Sequence, residues 1–192
     1  MRPRIFDEEE VLDKALTAFW GRGLTATSAE DLLKAMGIGQ GSLYHSYKQG
    51  KKEVFEKAVK QFHRKTFTVF KNKVNGSDQP LNVIRQFFMN MALASHEEHL
   101  KGCLMGNTIV EMSLLDQHLE KEAVMILKEV EQLFSETIER ARSNGQLKSK
   151  TPSMVLARQL ITLWNGLNIT RRMYPDNDVM KELITADLEI LN

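Results

Sequence analysis

A single cysteine, Cys103, stands among the 192 residues, so no intramolecular disulfide can form and no cysteine-based structural zinc site can assemble. Only 4 prolines and 11 glycines are present, which excludes collagen-like and linker-like chains and leaves long stretches free to be helical. No apolar run approaches the roughly 20 residues that cross a bilayer. Nor does an apolar stretch follow Met1-Arg2-Pro3-Arg4 as it would in a secretory signal. Neither a membrane partner nor secretion is expected, and the lone thiol fits a reducing cytoplasm. Catalytic signatures are missing too: there is no Gly-x-Ser-x-Gly, no phosphate-cradling glycine loop and no cysteine with an evident histidine base. His96-Glu97-Glu98-His99 offers metal-binding side chains, but not in the HExxH arrangement and without a third ligand, so it reads as a solvated helix end. No catalytic, metal or cofactor site is expected.

What the chain does have is helical periodicity and an uneven charge. With 42% hydrophobic residues it can bury a core, and its near-zero net charge of +1 conceals two opposed segments. Residues 44–74 hold nine basic side chains against two acidic ones, whereas residues 97–139 hold three against ten. Either these are ordinary solvated faces, or a basic N-terminal part meets a polyanion from which the acidic part stays away.

Apolar residues recur at helical spacing nearly throughout, which predicts an all-α fold of nine helices. The first spans about 7–22, with Val11, Leu12, Ala15, Leu16, Phe19 and Trp20 on one stripe. A second, capped by Thr27 or Ser28, stops at Gly37. A third fits 40–47, with Leu43 and Tyr47 four apart on its inner face. The others fall at 51–74, 80–91, 104–114, 117–143, 152–173 and 178–191, set off by Asn75-Gly76, Pro80, Asn144-Gly145, Pro152 and Pro175. The helix at 51–74, roughly 36 Å long, can connect two parts of the molecule. The expected division is 1–52 and 53–192.

A short capped helix, a glycine turn and a second short helix are the components of a helix-turn-helix. With Leu43 and Tyr47 turned inward, the third helix presents Gln40, Ser42, Tyr44, His45 and Ser46, which can hydrogen-bond phosphates or base edges, and no acid interrupts them. Arg2 and Arg4 form a basic arm or a frayed terminus.

The runs Arg2-Pro3-Arg4-Ile5-Phe6-Asp7, Ala18-Phe19-Trp20 through Gly23, Thr27-Ser28-Ala29-Glu30-Asp31-Leu32, Met36-Gly37-Ile38 and Gly41-Ser42-Leu43-Tyr44 together resemble the DNA-binding domain of TetR-family transcriptional regulators, over residues 2 to about 58. Gly102-Cys103-Leu104-Met105-Gly106-Asn107, followed by Glu111, resembles the ligand-domain segment of one branch of that family. The resemblance implies a nine-helix, two-domain homodimer that represses transcription from a double-stranded operator. An unknown small-molecule effector in the C-terminal domain then releases the DNA. Carried over by position, Gln40, Tyr44 and His45 reach bases or phosphates, Ser28 and Ser42 contact phosphates, and Lys51 adds a charge at the start of the fourth helix. Gly39 stands where the family usually has a capping serine, and the segment before the fourth helix is one residue longer than usual, so the roles of Lys51 and Lys52 stay open.

For the effector, position alone suggests Phe88, Met91, Cys103, Asn107, Glu111 and Trp164. Cys103 is read as a buried small side chain in preference to a thiol sensor, since Lys101 is its only near cation in sequence. The methionines, Met89, Met91, Met105 and Met112 among them, line a pliable pocket or simply fill the core. The last two helices are apolar on more than one face, so Leu156, Leu160, Leu163, Trp164, Leu167, Val179, Leu183 and Ile184 are the expected dimer contacts. The residues alone leave two other classes open: an all-α enzyme or ligand carrier that never meets DNA, and a helical adaptor. Salt dependence separates both from a DNA binder.

Overall fold

A computed structural model describes residues 6–192; the Arg2 and Arg4 arm lies outside them. Ten α-helices follow one another: α1 (Glu8–Arg22), α2 (Ala29–Met36), α3 (Gln40–Ser46), α4 (Lys51–Asn75), α5 (Pro80–Ala92), α6 (His96–Lys101), α7 (Leu104–Met112), α8 (Gln117–Ser143), α9 (Ser153–Met173) and α10 (Asn177–Asp187). A 3-10 turn, Leu188–Leu191, closes the chain, and the described residues contain no strand. All nine expected helices are present. The additional one, α6, is built on a capping box in which Ser95 accepts from the Glu98 N–H while the Glu98 carboxylate accepts from the Ser95 N–H. This corrects the reading of 96–99 as a solvated end, because His99 is buried and its Nε2 sits 3.2 Å from the Met91 carbonyl oxygen.

Local chemistry accounts for the boundaries. Asp7 accepts from the N–H groups of Glu9 and Glu10, with Glu8, Glu9 and Glu10 favourably placed in the first turn of α1. Ser28 caps α2 by accepting from the Asp31 N–H at 3.0 Å, and Gly37, at φ +68°, ends it in the left-handed conformation. Gly39 leaves α3 with no side-chain cap, as its sequence predicts.

Two apolar clusters form the core. The first joins α1, α2, α3 and the start of α4, centred on Phe19, Leu32, Leu43, Tyr47 and Phe55, to α7 and the first half of α8 through Leu104, Met105, Met112, Leu119 and Ala123. The second packs α5, the rest of α8, α9 and α10 around Phe88, Phe134, Ile138, Leu160 and Ile184. Trp164 packs against both. The N-terminal head is therefore not a detached module: it shares a core with the helices that carry the rest of the molecule.

The basic run on α4 has mostly internal partners. Lys57 meets Glu8 and Glu53, Lys65 meets Glu9 and Asp13, Lys60 meets Glu56 and Glu122, and Lys52 meets Asp116. Acids of α1 and of the start of α8 flank α4, and Lys52–Asp116 and Lys60–Glu122 join the two opposed segments directly. Such exposed pairs are individually weak, because solvent screens them and two long side chains must be held in one geometry.

Candidate functional site

In the helix-turn-helix, Leu43 and Tyr47 are buried, and Gln40, Tyr44 and His45 of α3 are exposed. Three of the expected recognition side chains are thus open to solvent, while Ser42 and Ser46 are half-buried. Tyr44 is held there by the turn that follows. Gly50 has φ +59°, and a Cβ built on it would stand 3.1 Å from Tyr44 Cε1, so a side chain at 50 would be strained by its backbone and pressed against the ring. The Ser28 hydroxyl, besides capping α2, donates to Asp31 Oδ2 at 2.8 Å, and Asp31 in turn meets Arg22 at 3.0 Å. The Ser28 bond is the main reason that the Asp31 carboxyl is held below the usual carboxylate range.

The structure gives Lys51 a different partner from the expected phosphate. Its ammonium donates to the carbonyls of Leu24 and Thr27, each at 2.8 Å, and of Thr25 at 3.4 Å, which ties the start of α4 to the turn between α1 and α2. Lys52 is taken by Asp116 at 2.6 Å. Lys51→Met should therefore lower the melting temperature by several degrees, since hydrogen bonds to a charged group contribute about 1.5–3 kcal/mol and each kcal/mol is about 2–4 °C at this size. Thermal denaturation measures this. If the variant instead melts normally and the slope of log affinity for DNA against log salt drops by about one, Lys51 is a phosphate contact after all.

The same turn is held from its other side by Glu111 on α7. Its two carboxylate oxygens accept from the Leu24 N–H at 3.1 Å and the Thr25 N–H at 2.7 Å. Gly23, at φ +85°, lets the carboxylate approach; a Cβ there would stand 3.0 Å from Glu111 Oε2. Glu111 was expected in a ligand pocket, and this placement corrects that: a charged side chain beside two unpaired N–H groups binds them.

A cavity of about 560 Å³ lies between α1, α4, α5, α6, α7, α8 and α9. Aromatic rings dominate its walls, with Trp20 edge-on to Phe62 (centroids 5.2 Å apart) and Phe87 edge-on to Trp164 (5.0 Å). Of the six expected pocket residues, Met91, Cys103 and Trp164 line it. Phe88 does not: it is fully buried in the core against Phe87 and Phe134. Asn107 is exposed and donates to the Lys101 carbonyl at 2.8 Å. Burial pushes the Cys103 thiol up, against the smaller opposing effects of the Gly106 and Met105 N–H groups and of Arg171, so it stays protonated as a small apolar wall. The residue that the sequence reading missed is Arg171. In sequence, Arg171-Arg172 is an unremarkable basic helix end, and only the packing of α9 against α6 carries Arg171 into the cavity wall. Among the described residues no group of three or more His, Cys, Asp or Glu side chains is placed to hold a metal ion.

Comparison with known proteins agrees with this geometry. Residues 11–58 match the model for bacterial regulatory proteins of the tetR family, and residues 80–186, more than half of the chain, match the tetracyclin repressor-like C-terminal domain. The chain belongs to the TetR family of transcriptional regulators. Within that family it is 27% identical to the HTH-type transcriptional regulator YezE of Bacillus subtilis (strain 168), over 100% of this chain and 99% of that protein. It is 24% identical to the HTH-type transcriptional repressor DhaR of Mycobacterium sp. (strain GP1), over 95% and 91%. The fold matches a cysteine-substituted form of the TetR-family regulator CifR, solved with 26-bp double-strand operator DNA, at a TM-score of 0.81 and 22% identity over 100% of both chains. Membership makes this a DNA-binding regulator and not an enzyme. No helix among the described residues is long and apolar enough to cross a membrane.

In this family member the expected dimer residues divide. Leu156, Leu160 and Leu167 on α9 and Ile184 on α10 are buried in the chain's own second core, against α8 and α5, which corrects their assignment to an intermolecular face. Leu163 and Trp164 are partly buried, and only Val179 and Leu183 remain exposed. A second stripe of α9 faces outward instead, through Val155, Gly166, Ile169 and Met173.

Proposed function

We propose that the protein is a dimeric repressor that holds an operator with α3 of each copy and is released by a small molecule in the aromatic cavity. In this reading residues 1–52 are the DNA-binding part and residues 53–192 the ligand-binding and dimerisation part, and the protein works in the cytoplasm beside the DNA that it regulates. The observation that carries it is the acid-free outer surface of α3, with Gln40, Tyr44 and His45 exposed and Tyr44 braced at Gly50. DhaR is a transcriptional repressor by name, and IcaR of Staphylococcus aureus (strain Newman), 23% identical over 60% of this chain, is by name a negative transcriptional regulator. The outward stripe of α9, with Val179 and Leu183 of α10, supplies the self-complementary face that a two-fold pair needs. Pairing there sets two α3 helices to reach successive major grooves, roughly 34–36 Å apart, and an effector that favours another spacing lowers affinity without any chemistry.

The test is fluorescence anisotropy with a duplex spanning the DNA beside the protein's own gene, against a scrambled duplex, at several salt concentrations. The expected result is selective binding with a steep salt slope. Tyr44→Ala and His45→Ala should each weaken it by roughly 5–150-fold, the equivalent of about 1–3 kcal/mol for a lost base contact, with the dimer intact by light scattering. Unchanged affinity in both variants would remove α3 as the reading helix.

A further inference from the structure

The charged groups that line the cavity are His63, Glu98, Lys101 and Arg171. Three of them already have a partner of their own. His63 Nε2 stands 2.7 Å from Glu129, Lys101 is bridged to Glu97 at 2.8 Å, and the Glu98 carboxylate accepts from the Ser95 N–H and hydroxyl, each at 2.8 Å. Arg171 differs. It is only 5% exposed, yet among the described residues no carboxylate lies within ion-pair distance of it. One Nη2 bond, to the Glu98 carbonyl at 3.2 Å, is its sole hydrogen bond there, and its Nε–H is buried with no partner at all. A buried charge with no ion pair and an orphan donor are both expensive, and each is relieved by an anion. Burial, then the adjacent Arg172 charge, push the guanidinium below its ordinary value against the smaller opposing effects of Cys103 and Glu98, although an arginine remains protonated.

The remainder of the cavity is shaped for a ring. Trp20 with Phe62, and Phe87 with Trp164, stand edge-on in pairs, so a flat aromatic body can stack on one ring of a pair and meet the edge of the other. Its volume, about 560 Å³, is within the usual range for a site that encloses a small molecule. We infer that the effector class is an aromatic carboxylic acid, its ring among these side chains and its carboxylate accepting from Arg171 Nε. This rests on the cavity being the effector site, as proposed above, and adds the chemistry that the site selects.

Isothermal titration calorimetry of the full-length protein with three probes of one shape tests it: 2-naphthoate, neutral 2-naphthamide and cationic 2-naphthylmethylamine. The wild type should bind the naphthoate at least tenfold more tightly than the amide, and the amine most weakly. Arg171→Met should bring naphthoate and naphthamide within about twofold of each other by weakening only the former, and Arg171→Lys should retain part of the preference. Circular dichroism and an unchanged naphthamide affinity show that each variant is folded. If Arg171→Met fails to fold, the wild-type ratio and Arg171→Lys decide. An amide bound as tightly as the naphthoate, or a preference that survives in Arg171→Met, overturns the inference while leaving the cavity as an effector site. If none of the three binds, the cavity reading falls with it, whereas operator binding through α3 is judged by its own titration.

Discussion

Ile169→Glu is expected to split the proposed dimer and to lower operator affinity by two to four orders of magnitude. Ile169 is 68% exposed on the outward stripe of α9, so its replacement leaves the chain's own core intact and should change monomer stability by no more than about 0.5 kcal/mol. At a two-fold interface, however, one substitution acts twice. Two carboxylates are desolvated near one axis where two apolar side chains met, and like charges so placed cost several kcal/mol. Loss of pairing then converts a bivalent ligand of two half-sites into a single weak head, and effective-concentration gains of 10²–10⁴ disappear. Light scattering should report one chain mass where the wild type reports two, and anisotropy the lost affinity. Leu160→Glu is the contrast: Leu160 is fully buried in the second core, so that variant should unfold instead of forming a folded monomer. A folded Ile169→Glu protein that remains dimeric and binds operator normally would remove this stripe as the pairing surface.

The α9 residues also show where sequence reading stops. Helical period makes that helix apolar on more than one face, with Ala157, Ile161 and Asn168 beside the leucines, without saying which face packs against α8. The intramolecular core took the large leucines, and the thinner stripe of Val155, Gly166, Ile169 and Met173 was left outside. By contrast, α3 has one apolar pair, Leu43 and Tyr47, so its inner and outer surfaces follow directly from spacing, and the structure has them as expected. The start of α6 is also legible, because Ser95 and Glu98 have capping-box spacing. Lys51 and Glu111 were not legible. Their partners are main-chain groups in a turn more than twenty and more than eighty residues away, and a carbonyl or an N–H leaves no mark in composition. Arg171 was hidden for a similar reason: what distinguishes it is that, among the described residues, no carboxylate comes within ion-pair distance of it and its Nε–H has no partner.

Glu111→Ala is expected to leave ligand binding intact while abolishing its effect on DNA. Helix α7 has one end in the cavity wall, through Cys103, Leu104 and Met105, and Glu111 in its last turn, roughly 10 Å along the helix axis. A ligand that displaces the first end of so short and rigid an element must displace the other, and Glu111 holds the N–H groups of Leu24 and Thr25 in the turn that leads to the Ser28 cap of α2. Lys51 holds the carbonyls of the same turn from α4, so the head is gripped by two elements, only one of which borders the cavity with its own first turn. Removing the carboxylate should lower the melting temperature by a few degrees, because two amides lose their acceptor at about 1–3 kcal/mol in total. It should also speed hydrogen exchange at Leu24 and Thr25. The larger effect is on coupling. If saturating 2-naphthoate weakens wild-type operator binding tenfold or more, it should weaken that of Glu111→Ala by less than about threefold, with calorimetric affinity for the probe retained. Glu111→Gln, which keeps one carbonyl acceptor, should fall between them. Gly23→Ala should imitate the loss from the opposite side, since its Cβ would enter a strained backbone region and press on Glu111 Oε2 at 3.0 Å. Full ligand-driven release in both Glu111→Ala and Gly23→Ala would show that the signal leaves the cavity through α4 instead, and the Lys51 anchor would then be the contact to sever.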